Sequence, residues 1–387
     1  MSYSVILLMF PVTCALVCYS IRKIIYISEK KHLFDEPADH RKIHIARTPN
    51  LGGVGIFATM LVVSLLLFPS IHIEGFRYCC ACAVLLFFLG LTDDLVGVNP
   101  LKKVGMQLIV ALLITIPAGI RIDNFQGFLG WTEMAYPISI VFSVLFIILV
   151  INAFNLIDGI NCLAGTVGLL SCCVFAFYFW RLHEDGYFFL SVSMSGCLAG
   201  FLIFNRTPAR IFMGDTGSLF LGFIAAILSI RLIGSGTSLT RVSASSWRVG
   251  ASALAIVPAL LIIPIYDTLR IFFIRIMRGG SPFRADKNHI HHLLLELRLS
   301  HHQATLVLLA VNIMALVLVF VTSSFSLEFR LVNLLAFMLL MNGILLLLVY
   351  RQRSLPLKES AHYIVNTEEL HLKGAQAANG PKEAMAI

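Results

Sequence analysis

The sequence predicts an all-α, polytopic integral membrane protein, and three observations favour this class. Of its 387 residues, 58% are hydrophobic and only 13% are charged. The mean hydropathy is +0.87. Apolar runs of about 20 residues, the length that crosses a bilayer as a helix, recur along the whole chain. Such a composition lies far from that of soluble globular domains.

We expect about eleven transmembrane helices, joined by short polar segments. The first expected span has no basic segment before it and no clear cleavage site after it, so we expect it to stay as a helix and not to be removed as a signal peptide. No internal repeat is obvious, which disfavours a transporter built from duplicated halves. The expected spans cover residues 4–27, 54–71, 78–92, 104–120, 137–154, 163–180, 187–204, 217–234, 250–274, 303–323 and 330–350.

The basic residues predict the orientation of the chain. Most Lys and Arg residues fall in the segments on one side of the expected spans, and the positive-inside rule makes that side cytoplasmic. The N-terminus is therefore expected outside and the C-terminus in the cytoplasm. Residues 1–350 form one predicted polytopic domain, and residues 351–387 a polar cytoplasmic tail that is partly disordered. This topology also explains the net charge of +8, so no nucleic-acid partner is expected.

Two adjacent carboxylates, Asp93 and Asp94, follow the apolar run of the third expected span. Adjacent carboxylates repel each other unless a cation or a shared proton relieves the repulsion. Lys102 and Lys103, which follow shortly afterwards, could pair with them or hold a phosphate group. A solvated helix end is the alternative interpretation of the acidic pair.

Asn152, Asn155 and Asp158 close the fifth expected span, each separated from the next by two residues. Helical geometry would place consecutive members of this set near one face. Their oxygen atoms are hard ligands, which suit Mg²⁺ or Mn²⁺ better than softer metals. Ordinary turn chemistry at a helix end is the alternative, although so many such residues are unusual in a membrane helix.

Asp215 stands between glycines at the beginning of the eighth expected span. A carboxylate at the mouth of a membrane helix is costly unless positive charge meets it there. We therefore expect a cation or a ligand at this position. The alternative is that Asp215 and Thr216 only cap the helix that follows.

Three histidines, His289, His291 and His292, follow the ninth expected span in a predicted cytoplasmic loop that also contains Arg284. Their spacing is not that of a helical pair of zinc ligands, and no cysteine accompanies them. Histidine and arginine together suit phosphate oxygens better. A basic loop that binds anionic lipid head groups is the alternative.

All of these polar clusters fall on the same predicted side of the membrane. Because they come from unrelated parts of the chain, their agreement predicts one site at the cytoplasmic face. A transporter or flippase that uses acids as an ion path would instead carry them near mid-span. The residues Asp267 and Arg270, near the inner end of the ninth span, could form a helix pair that steers the histidine loop.

The motifs occur in an order that resembles the polyprenyl-phosphate N-acetylhexosamine-1-phosphate transferase family. The pair Asp93-Asp94 is followed by NAFNLIDG at 152–159, FMGDTGS at 212–218 and SPFRADKNHIHH at 281–292. The segment DEPADHRKIHIARTPNLGG at 35–53 resembles the first cytoplasmic loop of that family. The HIHH form is most similar to the bacterial undecaprenyl-phosphate N-acetylglucosamine-1-phosphate transferase branch.

The resemblance implies a Mg²⁺-dependent enzyme of the bacterial cytoplasmic (inner) membrane, with its active site facing the cytoplasm. It would transfer a sugar-1-phosphate, GlcNAc-1-phosphate first among the candidates, from a UDP-sugar to undecaprenyl phosphate and release UMP. This would be the first membrane step of a cell-envelope glycan pathway. The alternatives are another UDP-N-acetylhexosamine or UDP-MurNAc-pentapeptide as donor, Mn²⁺ as metal and a homodimer as assembly. A lipid-linked transporter or flippase is the non-enzyme alternative.

The resemblance also implies a role for each matching residue. Asp215 would be the principal metal ligand, with Asn155 and Asp94 beside it, and Phe212 would stack on uracil. The chain departs from the family at Asn161, where an aspartate is usual, and at Leu293, where a basic residue is common. The implied catalytic residues are Asp93, Asp94, Asp158, His289, His291 and His292. The implied substrate-binding residues are Arg41, Lys42, His44, Lys102, Lys103, Asn152, Asn155, Asn161, Phe212 and Arg284.

Overall fold

The computed structural model describes residues 3–31, 48–67, 73–235, 253–279 and 288–354. These ranges are helical, and the β structure within them is one isolated bridge between Asn124 and Glu133. The all-α prediction is therefore confirmed for the described residues. A short 3₁₀ helix covers Phe128–Gly130. The α-helices are α1 (Tyr3–Lys31), α2 (Gly52–Leu67), α3 (Phe76–Val96), α4 (Pro100–Thr115), α5 (Tyr136–Ile157), α6 (Leu163–Arg181), α7 (Asp185–Asn205), α8 (Gly214–Gly234), α9 (Ala253–Leu260), α10 (Ile262–Met277), α11 (Ile290–Glu296), α12 (His301–Val321) and α13 (Leu327–Ser354).

Each expected span overlaps a described helix or helix pair, although α2 and α4 cover Gly52–Leu67 and Pro100–Thr115 where residues 54–71 and 104–120 were expected. Eight of the described helices, α1, α3, α5, α6, α7, α8, α12 and α13, are long and apolar enough to cross a membrane. The helices α2 and α4 have 16 residues each, which gives a length of about 24 Å at 1.5 Å per residue. This is shorter than a bilayer core of about 30 Å. A polytopic membrane protein is confirmed, whereas the count of eleven spans stays a prediction.

The ninth expected span is divided into α9 and α10, which meet at an angle of 72° around Leu261. Pro258 lies inside α9 and Pro264 in the first turn of α10. Proline lacks the N–H that would continue the helical ladder, so prolines on both sides favour a bend here. Near the bend, the Asn312 amide of α12 donates to the Ala259 carbonyl at 3.0 Å, which satisfies a backbone acceptor inside an apolar environment.

The most buried helix of the described chain is α8, which packs against α2, α3, α5 and α6. Glycines let the backbones touch where α8 begins. A Cβ atom on Gly53 of α2 would lie 2.0 Å from the Gly217 nitrogen, and one on Gly90 of α3 would lie 2.5 Å from the Thr216 Cα atom. Small residues at such contacts are typical of membrane helix packing. The ends of α2 and α3 are thereby fixed beside the first turn of α8.

The chain divides into two compact units, Met1–Met338 and Leu339–Ile387. The first unit contains α1 to α12 and the first part of α13. In the second unit the structure describes the rest of α13, which ends at Ser354. Most of the predicted tail of residues 351–387 therefore lies outside the described residues.

Candidate active site

The first turn of α8 is capped by a side chain from α3. The Asp94 carboxylate accepts hydrogen bonds from the Asp215 N–H at 2.7 Å, the Thr216 N–H at 2.9 Å and the Thr216 hydroxyl at 2.6 Å. The Asn50 amide donates to the same carboxylate at 3.2 Å. These bonds satisfy backbone donors that a helix start leaves free, and a negative charge is favourable there. The cap comes from Asp94, not from Asp215 or Thr216, so the carboxylate of Asp215 is available for other partners.

Gly214 makes this capping geometry possible. Its φ of +71° lies in the left-handed region, which costs little for glycine and more for other residues. A Cβ atom there would also lie 2.7 Å from a carboxylate oxygen of Asp94 and 2.4 Å from the Asn50 carbonyl oxygen. A larger residue would therefore displace the Asp94 carboxylate and the backbone of Asn50.

An ammonium group lies among the carboxylates predicted to form the site. The Lys103 Nζ atom of α4 donates to Asp93 Oδ2 at 2.9 Å, to Asn155 Oδ1 at 3.3 Å and to Asp215 Oδ2. The Asn155 amide nitrogen in turn donates to Asp215 Oδ1 at 2.8 Å and to the Ser218 hydroxyl at 2.9 Å. Residues from α3, α4, α5 and α8 therefore meet at one point.

The donor atoms at this point suit a hard divalent cation. Two carboxylates and one amide oxygen surround a positive charge, and these are the ligand types that Mg²⁺ prefers. The Lys103 ammonium marks the position where the protein already stabilises positive charge. Among the described residues, no group of three or more His, Cys, Asp or Glu residues could hold a metal ion. Mg²⁺ is commonly held by one or two carboxylates together with substrate phosphates, so a small protein ligand set is compatible with it.

Asn152 faces a different neighbour from Asn155. Its amide nitrogen donates to Gln107 Oε1 at 2.6 Å, and the Gln107 amide donates back to Asn152 Oδ1 at 3.3 Å. This reciprocal pair joins α5 to α4, and Gln107 is fully buried. Both amide groups therefore have protein partners, which indicates a structural role in this conformation.

The turn after α5 brings a carboxyl group and a histidine together. Burial raises the pKa of Asp158 well above its usual value, and the charges of Asp215 and Asp94 raise it further. The His291 ring lies directly against the next residue, because a Cβ atom on Gly159 would be 2.4 Å from His291 Nε2. Burial, and then the neighbouring His292, lower the pKa of His291 to about 3. The imidazole is therefore neutral at pH 7, and its buried Nε2 atom has no hydrogen-bond partner.

Asn161 is hydrogen-bonded both to the connection between α7 and α8 and to the start of α12. Its side-chain amide nitrogen donates to the Thr207 hydroxyl at 3.0 Å, and its main-chain carbonyl accepts from the Thr305 hydroxyl at 2.9 Å. The next residue, Cys162, has a φ of 68°, and its N–H donates to Asn205 Oδ1 at 2.7 Å. The asparagine that replaces the usual aspartate thus acts as a donor within the protein.

Phe212 is fixed by hydrogen bonds of its main chain, and the residue is 38% exposed. Its N–H donates to the Pro49 carbonyl, and its carbonyl accepts from the Gly52 N–H, both at 2.9 Å. One residue on, the Met213 carbonyl accepts from the Gly53 N–H at 2.8 Å. Together these bonds form a main-chain ladder between residues 49–53 and 212–213.

The three histidines of the HIHH motif lie together at the start of α11. The rings of His289 and His291 are nearly parallel, with centroids 5.5 Å apart, and those of His291 and His292 are 4.2 Å apart. His289 Nδ1 lies 2.9 Å from Asp267 Oδ2 of α10. Leu293, the departure after the motif, is only 6% exposed, so its apolar side chain is explained by burial.

Several predicted site residues are not part of the described clusters. Lys102 is exposed, unlike its neighbour Lys103. Arg41, Lys42, His44 and Arg284 lie outside the described residues. The structure also adds polar residues that the sequence did not single out, and a polar side chain within an apolar span is the signal that marks some of them. These are Asn50, Gln107, Thr207, Ser218 and Thr305.

The fold and the site define a class: a polytopic membrane protein with a buried, charged centre where α3, α4, α5 and α8 meet. A family model described as glycosyl transferase family 4 matches residues 76–233, a range that contains this centre. Among curated proteins, the chain is 34% identical over 283 residues to a probable undecaprenyl-phosphate N-acetylglucosaminyl 1-phosphate transferase of Bacillus subtilis, and the match covers 71% of this chain and 73% of the relative.

Other relatives carry similar names. An undecaprenyl-phosphate alpha-N-acetylglucosaminyl 1-phosphate transferase of Yersinia pestis is 28% identical, with 75% of this chain and 77% of the relative covered. A decaprenyl-phosphate N-acetylglucosaminephosphotransferase of Mycolicibacterium smegmatis is 31% identical, with 69% and 70% covered. The chain belongs to glycosyl transferase family 4, and the resemblance seen in its motifs is confirmed.

Proposed function

We propose that this protein transfers GlcNAc-1-phosphate from UDP-GlcNAc to undecaprenyl phosphate and releases UMP. It is a membrane-bound transferase, and its relatives are named as N-acetylglucosaminyl 1-phosphate transferases or N-acetylglucosaminephosphotransferases of undecaprenyl or decaprenyl phosphate. The observation that carries the proposal is the meeting of Asp93, Lys103, Asn155 and Asp215 within the matched range. Carboxylates and an ammonium group at one point suit a reaction between phosphate groups.

Mg²⁺ is the metal that we propose for this site, with Mn²⁺ as the alternative. Asp215 and Asp93 would hold it, with the oxygen of Asn155 beside them. The four hydrogen bonds that Asp94 accepts support a positioning role for that residue, so Asp93 is favoured as the second carboxylate. When bound, the metal neutralises pyrophosphate charge and stabilises the leaving UMP.

The residues of the chain supply charge and orientation for the reaction. A phosphate monoester is mostly dianionic at pH 7, because its second pKa is about 6, so the acceptor lipid needs little help from a general base. The Lys103 ammonium, which bonds Asp93 and Asp215 in this structure, would hold a phosphate oxygen of the substrate. No residue of the chain is assigned as a general base, because Asp93 is proposed to hold the metal. The proposed step is in-line attack of a lipid phosphate oxygen on the sugar-bearing phosphorus, in which the bond to the UMP phosphate oxygen breaks and UMP leaves.

The remaining contacts with the substrates are proposed to come from residues around the acidic centre. The exposed ring of Phe212 is proposed to stack on uracil, and the histidines of the HIHH motif to contact the pyrophosphate or the sugar. Asp158 and Asn161 are proposed to line the nucleotide side. Basic residues outside the described ranges, Arg41, Lys42, His44 and Arg284, are proposed to bind phosphate oxygens.

The topology of the protein is proposed from the charge distribution. Eleven spans with the N-terminus outside place the active site and the C-terminal tail at the cytoplasmic face of the bacterial inner membrane. This position suits a water-soluble nucleotide sugar that meets a lipid phosphate. A homodimer remains a proposal for the assembly.

A single assay tests the proposed reaction. Purified protein in detergent is incubated with radiolabelled UDP-GlcNAc and undecaprenyl phosphate, with Mg²⁺ or with EDTA. We expect labelled lipid and equimolar UMP that depend on Mg²⁺ and are lost in Asp215→Asn. Absence of UMP release under all conditions would contradict the proposal and favour the flippase reading. A panel that includes UDP-GalNAc and UDP-MurNAc-pentapeptide identifies the preferred donor.

A further inference from the structure

Asp267 is a buried carboxylate in α10 that the proposed chemistry does not use. It is 1% exposed, and a charge at such a depth in an apolar helix is costly without partners. Its partners are His289 Nδ1 at 2.9 Å, the Ile290 N–H at 3.0 Å and the Arg270 guanidinium at 3.2 Å. Two of these partners lie more than twenty residues later in the chain, at the start of α11.

Asp267 and Arg270 both form hydrogen bonds with the segment that leads into α11. The Arg270 guanidinium that pairs with Asp267 also donates to the Asn288 carbonyl. Asp267 itself accepts the first free N–H of α11, whose N-cap residue, His289, makes no side-chain cap of its own. Backbone on both sides of His289 is therefore fixed to α10.

The carboxylate also determines which nitrogen of His289 carries the proton. An ionised carboxylate accepts hydrogen bonds only, so Nδ1 must present its N–H to Asp267. The neutral ring then keeps Nε2 as an acceptor, and the charged ring presents it as a donor. Carboxylate partners of this kind fix tautomer and ring orientation in other functional histidines.

The ring of His289 contacts the ring of another histidine of the motif, so its orientation affects that neighbour. Its ring is stacked nearly parallel to that of His291, with an interplanar angle of 7°. His291 in turn lies against Gly159, next to Asp158 and the acidic centre. A chain of contacts therefore runs from Asp267 through two imidazoles to the turn after α5.

We propose that Asp267 is a positioning residue for the transfer reaction, which acts through His289 by holding its Nδ1–H and leaving Nε2 for the substrate. This inference rests on the proposed function, because the substrate of His289 is the UDP-sugar of that reaction. Asp267 makes no substrate contact itself.

The first test is Asp267→Asn, which keeps the shape of the side chain and an oxygen for the Ile290 N–H. Its amide nitrogen faces His289 Nδ1 as a donor, so the proton of the ring must move to Nε2. We expect kcat to fall about 10- to 100-fold, as when the carboxylate partner of a functional histidine is removed, with a nearly unchanged KM for UDP-GlcNAc. The melting temperature should fall as well, because the variant also removes the buried ion pair with Arg270, so kcat is compared well below both melting temperatures. Glu184→Gln is the matched control, since it neutralises an ion-paired carboxylate near Arg231 and is expected to leave turnover unchanged.

A double-mutant cycle separates positioning from general stability. In a His289→Ala background, Asp267→Asn should have no further effect on kcat, because the residue through which it acts is absent. Additive losses of kcat in the double variant would overturn the proposal. So would a loss of kcat that appears only as the variant approaches its melting temperature. Full activity of Asp267→Asn in a preparation whose wild type is active would also overturn it, whereas an inactive wild type contradicts the proposed function instead.

A measurement on the wild-type protein keeps the proposal testable if the variants do not fold. ¹⁵N spectra of histidine-labelled protein, assigned by comparison with His289→Ala, report the tautomer of each ring. A protonated Nδ1 in His289 is the expected result. A ring protonated only at Nε2 would contradict the proposal.

Discussion

Replacing Lys103 by methionine is predicted to make the site bind a divalent cation more tightly in the absence of substrates. The Lys103 ammonium bonds Asp93 and Asp215 directly, so it occupies the position that a metal ion would bridge. Methionine has similar length and no charge. The Lys103→Met variant therefore leaves two carboxylates without their internal cation.

The size of the effect follows from the contact that the metal must break. Hydrogen bonds to charged groups contribute about 1.5–3 kcal/mol net, and the Lys103 side chain is only 13% exposed. Displacing it from Asp215 should cost about that much, which corresponds to a factor of about 10 to 100 in affinity. The variant should gain this factor in metal binding and still lose turnover, because no ammonium remains for the phosphate.

Binding of Mn²⁺ is measured by electron paramagnetic resonance on detergent-solubilised protein without nucleotide. Lys102→Met is the control, since Lys102 is the exposed neighbour and its loss should leave the dissociation constant unchanged. If Lys103→Met binds Mn²⁺ no more tightly than the wild type, the metal does not compete with Lys103. The placement of the metal between Asp93 and Asp215 would then be wrong.

Three further predictions concern stability. Asp94→Ala removes the cap of α8 and should cost about 1–2 kcal/mol, measured as a lower melting temperature together with reduced activity; an unchanged melting temperature would show that the cap contributes nothing. Cys162→Gly relieves a left-handed φ of 68° and should stabilise the protein by about 0.5–1 kcal/mol, which a raised melting temperature would show and a lowered one would refute. The third concerns pH: because the pKa of His291 is lowered to about 3, the folded ring stays neutral where the unfolded ring, with a pKa of about 6.5, takes up a proton. Stability should therefore fall as the pH decreases below about 6.5, by up to about 1.4 kcal/mol per unit, and a His291→Asn variant with the same slope would contradict this.

The approximate positions of the helices were predictable, because long apolar runs mark where a chain can cross a bilayer. The bend around Leu261 was not, since Pro258 and Pro264 stand in an apolar stretch that hydropathy alone does not divide. Prolines can kink a membrane helix without ending it, because neighbouring groups satisfy the backbone. Asn312, which supplies such a group, lies on a helix that the sequence does not connect with the bend.

The acidic centre was predictable from the cost of charge in an apolar environment, which singled out Asp93, Asp94 and Asp215. The division of labour within the Asp93-Asp94 pair was not, because adjacent residues on a helix diverge by about 100° and the partner of each depends on packing. Asn152 and Asn155 both contact α4, but three residues advance by about 4.5 Å along a helix. Asn152 therefore meets Gln107, whereas Asn155 meets Lys103 one turn away.

The ladder between residues 49–53 and 212–213 has a consequence for sequence variation in this protein. Its bonds join N–H and carbonyl groups, which every residue except proline provides. The position of the Phe212 ring therefore does not depend on the side chains of Pro49 and Leu51. Substitutions at these two positions should leave the activity unchanged. Asn50, Gly52 and Gly53 are the exceptions, because the Asn50 amide donates to Asp94 and a Cβ atom on either glycine would lie within 2.6 Å of backbone atoms. Random mutagenesis of residues 49–53 should thus return active clones that vary at Pro49 and Leu51 and are invariant at Asn50 and the two glycines.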